Sequence, residues 1–410
     1  MYFSPGTSPA TPRTLMLRAV TTGSGARIMV SRRTFNTGLA SSLLGSAVAS
    51  PAAAKTYRGP NVVLIRFGGG VRRSETVDEA TTYAPYTRKV LAERGVLIPN
   101  MTIDQINGGN TSHAEGTLNL LTGRYNAYSD AGSEFLQDRL NPTEPTLFEY
   151  LRASYDIPSH ETLLINGEDR PQEEFFTYGI DGHYGINFRS EMLSLHRFKL
   201  YKFARLMEEA PDDTARAEAK DAYDKLTAID ARPFAPEQSG PIRNLWERWR
   251  AHYGDEGFKN PRGDRLLTEL ALWSIRDLKP RLMMINYQDP DYVHWGNASH
   301  YTRAISVIDD GIRQLVDALD NDDHYRGNTV VVITPDCGRD ANPLMSVPFQ
   351  HHFNSRGAHE VWALVLGPGI TPGRIYDRPV DQTAVATTLA QVMGFRAERS
   401  EGDVLSGIFT

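Results

Sequence analysis

Three residues that could bind a metal ion lie within six positions of one another, directly after a predicted strand. Asp289, Asp291 and His294 follow the apolar run 282–285. Carboxylates and imidazoles are ligands of zinc and similar divalent ions. Open α/β sheets bind their ligands at the carboxyl ends of the strands. The segment therefore predicts a metal site, with helix capping by the two acids as the alternative.

A second group of candidate ligands follows the apolar run 329–334. Asp336 ends this run, where a carboxylate needs a partner. Two adjacent histidines and a third one come later: His351, His352 and His359. Neighbouring side chains of an extended chain point in opposite directions, so at most one of the adjacent pair faces a given site. We favour His352 as a ligand, with His359 as the close alternative.

The first strand ends in residues that could hold an anion. The apolar run 61–67 is followed by three glycines, 68–70, and then by Arg72 and Arg73. Glycines allow close approach of the backbone, and guanidinium groups bind oxyanions. The alternative is a plain turn with solvated arginines.

A predicted helix begins after Ser112 and ends near Gly123. Ser112 and Glu115 have capping-box spacing. Because the N-terminus of a helix favours anions, Thr111 or Ser112 could be a nucleophile there. Ser112 could equally be a cap and nothing more.

Strands and helices alternate on both sides of these motifs. Such alternation predicts a three-layer α/β sandwich with a mostly parallel central sheet, built from residues 55–166 and 279–410. The intervening residues 167–278 are dominated by helical, charged and aromatic-rich segments. We interpret them as a helical insertion or cap.

Composition excludes several classes of partner. The net charge is −6, and residues 1–54 hold five of the 44 basic residues and none of the 50 acidic ones. The rest of the chain is therefore strongly acidic, which argues against nucleic acid as a partner. Cys337 is the only cysteine, so an internal disulfide and a cysteine-based zinc cluster are excluded. No apolar run is long enough to span a membrane.

The N-terminal segment is typical of export. Ser31-Arg32-Arg33-Thr34-Phe35 precedes a small-residue run and an alanine-rich stretch that ends at Ala54. It resembles a bacterial twin-arginine signal peptide and predicts a periplasmic or secreted protein. A disordered tail is the alternative, and Met29 could be the true start.

The order of these motifs resembles the alkaline phosphatase superfamily, which includes sulfatases, nucleotide pyrophosphatases and phosphonoacetate hydrolases. TLNLLTGRY at 117–125 and the segment 291–312 carry the resemblance most specifically. TVVVITPDCG and HHFNSRGAHEVWALVLGPG occupy the places of the family's later motifs. The resemblance covers roughly residues 60–125 and 280–395.

The resemblance implies one or two divalent ions, with zinc as the expected metal. The first site would contain Asp291 (or Asp289), His294 and one of His351, His352 and His359. Asp336 would belong to a second site. Two ions about 4 Å apart would stabilise the attacking and the leaving oxygen of an in-line displacement.

The chain also departs from the family pattern. Glycines 68–70 replace the first metal-binding aspartate, and Cys337 replaces a histidine. Counting back nine positions from Thr122 places His113 where the family has its nucleophile. A shift of one or two positions would place Ser112 or Thr111 there instead.

These observations predict a metal-dependent hydrolase of small anionic phosphate or sulfate esters. Either metal-activated water or one of the nucleophile candidates would attack, with Arg72 or Arg73 replacing the charge of a second ion. The alternatives are a catalytically inactive protein that binds a ligand or a partner, and a phospho-group transferase or mutase.

Overall fold

The computed structural model describes residues 55–103, 111–134, 137–167, 171–229, 238–258, 263–340, 344, 347–351 and 355–410. The predicted leader, 1–54, lies outside this description. The strands are β1 (Asn61–Arg66), β2 (Gly95–Thr102), β3 (Tyr128–Glu134), β4 (Gln137–Pro142), β5 (Thr162–Ile165), β6 (Glu191–Leu193), β7 (Leu282–Asn286), β8 (Thr329–Thr334), β9 (Glu360–Leu366), β10 (Arg374–Ile375) and β11 (Val380–Asp381).

The main sheet confirms the predicted fold. Its described strands have the order β10-β2-β9-β8-β1-β7-β5-β6, with β11 also paired to β2. All pairs are parallel except those that β9 makes with β2 and β8. Strands β3 and β4 form a separate antiparallel pair.

Strand β1 lies at the centre of the sheet because both of its faces are apolar. Val63 and Ile65 pack into one hydrophobic core and Val62 and Leu64 into the other. This alternation follows from the two-residue period of a strand. The two cores lie on opposite faces of the sheet and produce the three layers.

The helices are α1 (Arg73–Thr76), α2 (His113–Thr122), α3 (Leu147–Tyr155), α4 (Leu195–Glu209), α5 (Asp213–Ala228), α6 (Gly240–Tyr253), α7 (Asp264–Asp277), α8 (Ala298–Asp320), α9 (Arg356–His359) and α10 (Ala384–Val392). Short 3-10 and π turns complete the chain, among them Tyr86–Val90, Leu91–Arg94 and Asp289–Tyr292. Within the described ranges, no helix is long and apolar enough to cross a membrane.

Two short strands directly precede helices in the chain. Glu191–Leu193 form β6, which pairs with β5 at the edge of the main sheet. The helix that follows begins only after Ser194, whose side chain accepts the N–H of Arg197. Similarly, Val380–Asp381 pair with β2 before α10 begins. Because each strand has only two or three residues, its periodicity is too short to distinguish it from a helix.

Candidate active site

The predicted site residues come from segments that meet at one edge of the sheet. Strands β1, β7 and β8 are parallel neighbours, so their carboxyl ends lie side by side. Asp336 follows β8, and Asp291 follows β7 on the 3-10 turn Asp289–Tyr292. Helix α2 begins at the same place with His113. The sheet therefore collects residues that are more than 200 positions apart in sequence.

His113 connects the two carboxylates. Its Nδ1 lies 2.7 Å from Oδ2 of Asp336, and its Nε2 lies 2.7 Å from Oδ1 of Asp291. Asp336 is fully buried, and His113 is 6% exposed. The other oxygen of Asp336 accepts the backbone N–H groups of Cys337 at 2.8 Å and Gly70 at 3.4 Å.

Two further imidazoles approach Oδ1 of Asp291. Nε2 of His294 lies 2.9 Å away and Nε2 of His351 lies 3.2 Å away. The Nδ1 atom of His351 lies 3.2 Å from the carbonyl oxygen of Thr111, just before α2. One carboxylate oxygen thus meets three imidazole nitrogens.

Electrostatics within the cluster favour the charged forms of its acids and of His113. Burial lowers the pKa of His113, but Asp291 and Asp336 outweigh it and raise the pKa well above the usual value. Burial would raise the pKa of each carboxyl, yet His113 holds both values below the ordinary range. Burial and the charge of Asp336 raise the pKa of the Cys337 thiol to about 11.

Glycines explain how β1 ends without a carboxylate. A Cβ on Gly68 would lie 2.1 Å from the carbonyl oxygen of Tyr287, so no side chain fits there. Gly69 has a φ of +84°, and a Cβ on it would lie 2.6 Å from the backbone nitrogen of Asp291. The loop after β7 therefore occupies the space that a side chain in the family's aspartate position would need.

Two buried arginines, which sequence reasoning missed, lie beside the carboxylates. Nε of Arg66 is 3.9 Å from Asp336, and Nη2 of Arg339 is 3.9 Å from Asp291. Both arginines are 1% exposed. A charged residue within the apolar strand β1 was the available signal for Arg66, because a buried charge needs a partner.

Arg339 also joins the loops that surround the cluster. Its guanidinium group donates hydrogen bonds to five backbone carbonyls, those of Gly69, Gly70, Pro290, Val293 and Phe349. These carbonyls belong to three separate segments, which follow β1, β7 and β8. The arginine therefore fixes the loop that carries Asp291 relative to the other two.

The remaining predicted residues have other contacts. The carboxylate of Asp289 accepts the backbone N–H of Asp264 at 3.2 Å, in the first turn of α7. Ser112 is the N-cap of α2, and its capping box with Glu115 is complete. Thr111 is fully buried next to it.

The two arginines predicted to bind an anion, Arg72 and Arg73, form hydrogen bonds with other groups of the protein. Nε of Arg72 donates to Glu75 at 2.8 Å. Arg73 donates to the carbonyl oxygens of Val361 at 3.0 Å and Met101 at 2.6 Å.

The structure brings His351 to the cluster, whereas the sequence analysis favoured its neighbour His352. His352 itself lies outside the described residues. Nδ1 of His359 lies 2.6 Å from the carbonyl oxygen of Ile103, after β2. His351 could have been preferred only if the direction of the chain at this position were known.

Two donor sets that could hold a metal ion meet at His351. One consists of Asp291, His294 and His351, and the other of His113, Cys337 and His351. In each set the ligand atoms lie within 4.8 Å of one another. Imidazole with carboxylate or thiolate fits zinc and similar ions, whereas Ca²⁺ requires six to eight oxygens. The donor chemistry of this cluster therefore fits a divalent ion of this kind.

Comparison with known proteins shows the family and the fold. A family model described as Sulfatase matches residues 76–395. No curated protein sequence matches the chain significantly.

Solved structures share the fold. A proposed sulfatase from Bacteroides thetaiotaomicron VPI-5482 is 14% identical with a TM-score of 0.52, covering 85% of this chain and 74% of that one. The wild-type alkaline phosphatase PafA is 11% identical with a TM-score of 0.52, covering 87% and 100%. An alkaline phosphatase superfamily protein from Vibrio parahaemolyticus is 13% identical with a TM-score of 0.50, covering 86% and 70%. At these identities the similarity shows the fold alone.

Proposed function

The chain belongs to the sulfatase family, and from that premise we propose that it hydrolyses sulfate or phosphate esters with a divalent ion, zinc or a similar metal. The observation that carries the proposal is the meeting of three imidazoles on Asp291 at the carboxyl edge of the sheet. A structural role alone would not require three imidazoles around one carboxylate oxygen. The substrate would be a small anionic ester.

His351 would hold the ion, together with either Asp291 and His294 or His113 and Cys337. When bound, a divalent ion supplies Lewis-acid stabilisation to the oxygens of the ester group. The other groups of the site have separate roles. Arg339 fixes the position of Asp291 through the surrounding carbonyls. The N-terminus of α2 would favour an anion bound beside it.

Three side chains remain candidates for the attack on the ester, which water could also carry out. They are Thr111, Ser112 and His113, in successive positions at the start of α2. The Ser112 hydroxyl already accepts the N–H of Glu115, and His113 already bridges two carboxylates. Substitution of each residue separately distinguishes these candidates. Loss of turnover in only the Thr111 or only the Ser112 variant identifies the nucleophile, loss in the His113 variant does so only with an unchanged ion content, and turnover in all three favours water.

Hydrolysis and ion content test the proposal together. The purified chain would be supplemented with Zn²⁺, Mn²⁺ or Mg²⁺ and assayed on aryl sulfates, phosphate monoesters, phosphate diesters and phosphonates. We expect turnover of at least one class, and removal of the ion by a chelator should abolish it. An ion content below about a tenth of an equivalent after supplementation, where a site with nanomolar affinity would be full, refutes the metal-dependent reaction.

A second candidate is an anion-binding protein without catalysis. The observation that favours it is the neutralisation of Asp291 and Asp336 by His113, Arg66 and Arg339. The three positive groups exceed the two carboxylates by one charge, which favours an anion beside them. This candidate predicts that sulfate binds equally well with and without a chelator and that no ester is hydrolysed.

The predicted leader supports a further part of the proposal, that the protein is exported. The twin-arginine sequence at 32–33 and the alanine-rich end at 51–54 support it. Replacement of both arginines by lysine should retain the protein in the cytoplasm of an expressing bacterium. Equal amounts of the two forms in the periplasmic fraction would contradict export by this route.

A further inference from the structure

A buried group of two imidazoles and one thiol lies on the inner side of the cluster. It consists of His113, Cys337 and His351, which are 6%, 0% and 0% exposed. One ligand atom from each lies within 4.8 Å of the other two. Nδ1 of His113 is 3.7 Å from the sulfur of Cys337. Imidazole and thiolate together form a donor set that suits zinc.

Asp336 orients two members of this set. Its Oδ2 contacts Nδ1 of His113, and its Oδ1 accepts the backbone N–H of Cys337. A carboxylate on the second nitrogen of a ligating histidine is a recurring feature of metal sites, because it fixes the ring and makes it more basic. Asp336 therefore fixes the His113 ring and the backbone of Cys337 next to each other.

Gly70 brings the backbone that follows β1 close to the same atoms. A Cβ there would lie 3.3 Å from the sulfur of Cys337 and 3.3 Å from Cδ2 of His351. Gly70 also belongs to the segment in which the family pattern has an aspartate ligand. The glycine thus lets this segment pack closely against the donor atoms, and a Cβ would also lie 3.0 Å from the carbonyl oxygen of Gly338.

From these contacts we propose that Cys337 is a metal ligand and that His113, Cys337 and His351 hold one thiophilic divalent ion. The inference rests on the proposed function only in assuming that an ion binds. It selects the sulfur-containing set over Asp291 and His294, which are more exposed at the outer side of the cluster. On binding, the thiol releases its proton to solvent and the sulfur binds the ion as a thiolate. The site should then prefer Zn²⁺ and similar ions and bind Mg²⁺ and Ca²⁺ poorly.

Cobalt substitution tests the proposal on the wild-type chain. Co²⁺ bound to a thiolate has a near-ultraviolet sulfur-to-metal charge-transfer band that oxygen and nitrogen ligands do not produce. Because Cys337 is the only cysteine in the sequence, any such band identifies it without a variant. We expect the band to grow to one equivalent of Co²⁺ and to disappear when Zn²⁺ is added in excess, whereas Mg²⁺ leaves it unchanged.

Matched variants locate the ion. Cys337→Ser should abolish the band and weaken Co²⁺ binding by about tenfold or more, as loss of a group that supports a metal commonly does. His294→Ala should leave the band and the affinity unchanged, since His294 belongs to the other donor set. Far-UV circular dichroism checks that both variants are folded. Loss of Co²⁺ from the His294 variant would overturn the assignment.

The possible results separate this inference from the proposed function. If Co²⁺ binds without the band while esters are hydrolysed, the thiolate assignment is wrong and the function stands. If the band is present and no ester is hydrolysed, the site is correct and the proposed reaction fails. If no ion binds, the inference is wrong.

Discussion

Replacement of Arg339 by methionine should destabilise the protein more than any exposed arginine does. The side chain donates hydrogen bonds to five carbonyls and is 1% exposed. Methionine keeps an unbranched stem but donates nothing, so these carbonyls lose a donor and Asp291 loses one nearby positive charge. Three loops around the cluster would then be held less firmly.

The expected loss follows from the number and type of these contacts. A hydrogen bond from a charged donor contributes about 1.5–3 kcal/mol, and removal of one partner from a buried ionic arrangement costs about 3–5 kcal/mol. The free energies of the five hydrogen bonds do not add, because folding of the variant avoids the cost of burying a guanidinium group. We therefore expect a loss of about 3–5 kcal/mol in the free energy of unfolding. With an m-value of about 3 kcal/mol/M in urea, the midpoint falls by about 1–1.7 M.

Urea unfolding followed by circular dichroism measures this loss. Arg326→Met is the matched control, because the Arg326 side chain is 62% exposed and pairs only with Asp323 within the described residues. Its cost should stay within about 0.5 kcal/mol. Arg339→Lys keeps the charge but lacks the planar fork of donors, so its cost should fall between the two. A loss below about 1 kcal/mol for Arg339→Met would refute the role of this side chain.

Three further predictions concern other parts of the molecule. His351→Ala should lower the bound divalent ion, measured by elemental analysis, by about tenfold or more, because His351 belongs to both donor sets. Burial raises the pKa of Glu149 to about 7 from 4.5, so the folded chain binds more protons than the unfolded chain between these values. The unfolding free energy should therefore fall by about 3 kcal/mol as the pH rises through this range, and Glu149→Gln should remove that decrease. Ser112→Ala should cost about 1 kcal/mol in urea unfolding, because the capping box of α2 is lost.

Each of these predictions has a control. His300→Ala, at an exposed position of α8, should not change the ion content. If the unfolding free energies of the wild type and Glu149→Gln change with pH in parallel, this carboxyl does not cause the pH dependence. Ser112→Gly should cost only a few tenths of a kcal/mol, since glycine is tolerated at an N-cap. An equal loss for alanine and glycine would contradict the capping role.

The fold was predictable because its strongest signals are local. Strand β1 is an uninterrupted apolar run, and α2 has both a capping box and Gly123 at its left-handed end. Pairing of β9 against the direction of its neighbours was not predictable, since no local pattern encodes strand direction. The short strand β6 was missed because three residues do not reveal a period.

The site could be predicted only where strand ends supply its residues. Asp291, His294 and Asp336 follow β7 and β8, so their approach could be expected from a parallel sheet. The roles of Arg66 and Arg339 depend on loop carbonyls and carboxylates from distant segments. His113 was considered only as a replacement for a nucleophile, because its two carboxylate contacts exist only after α2 packs against the sheet.

The central place of β1 also has a consequence for synthesis on the ribosome. Gly70, just after β1, contacts Asp336, 266 positions later in the chain. At about 5–20 residues per second, the ribosome needs about 13–53 s to make that interval. During this time β1, which is buried on both faces in the folded protein, lacks its partners β7 and β8. The nascent chain should therefore depend on a chaperone that covers β1 until β8 emerges.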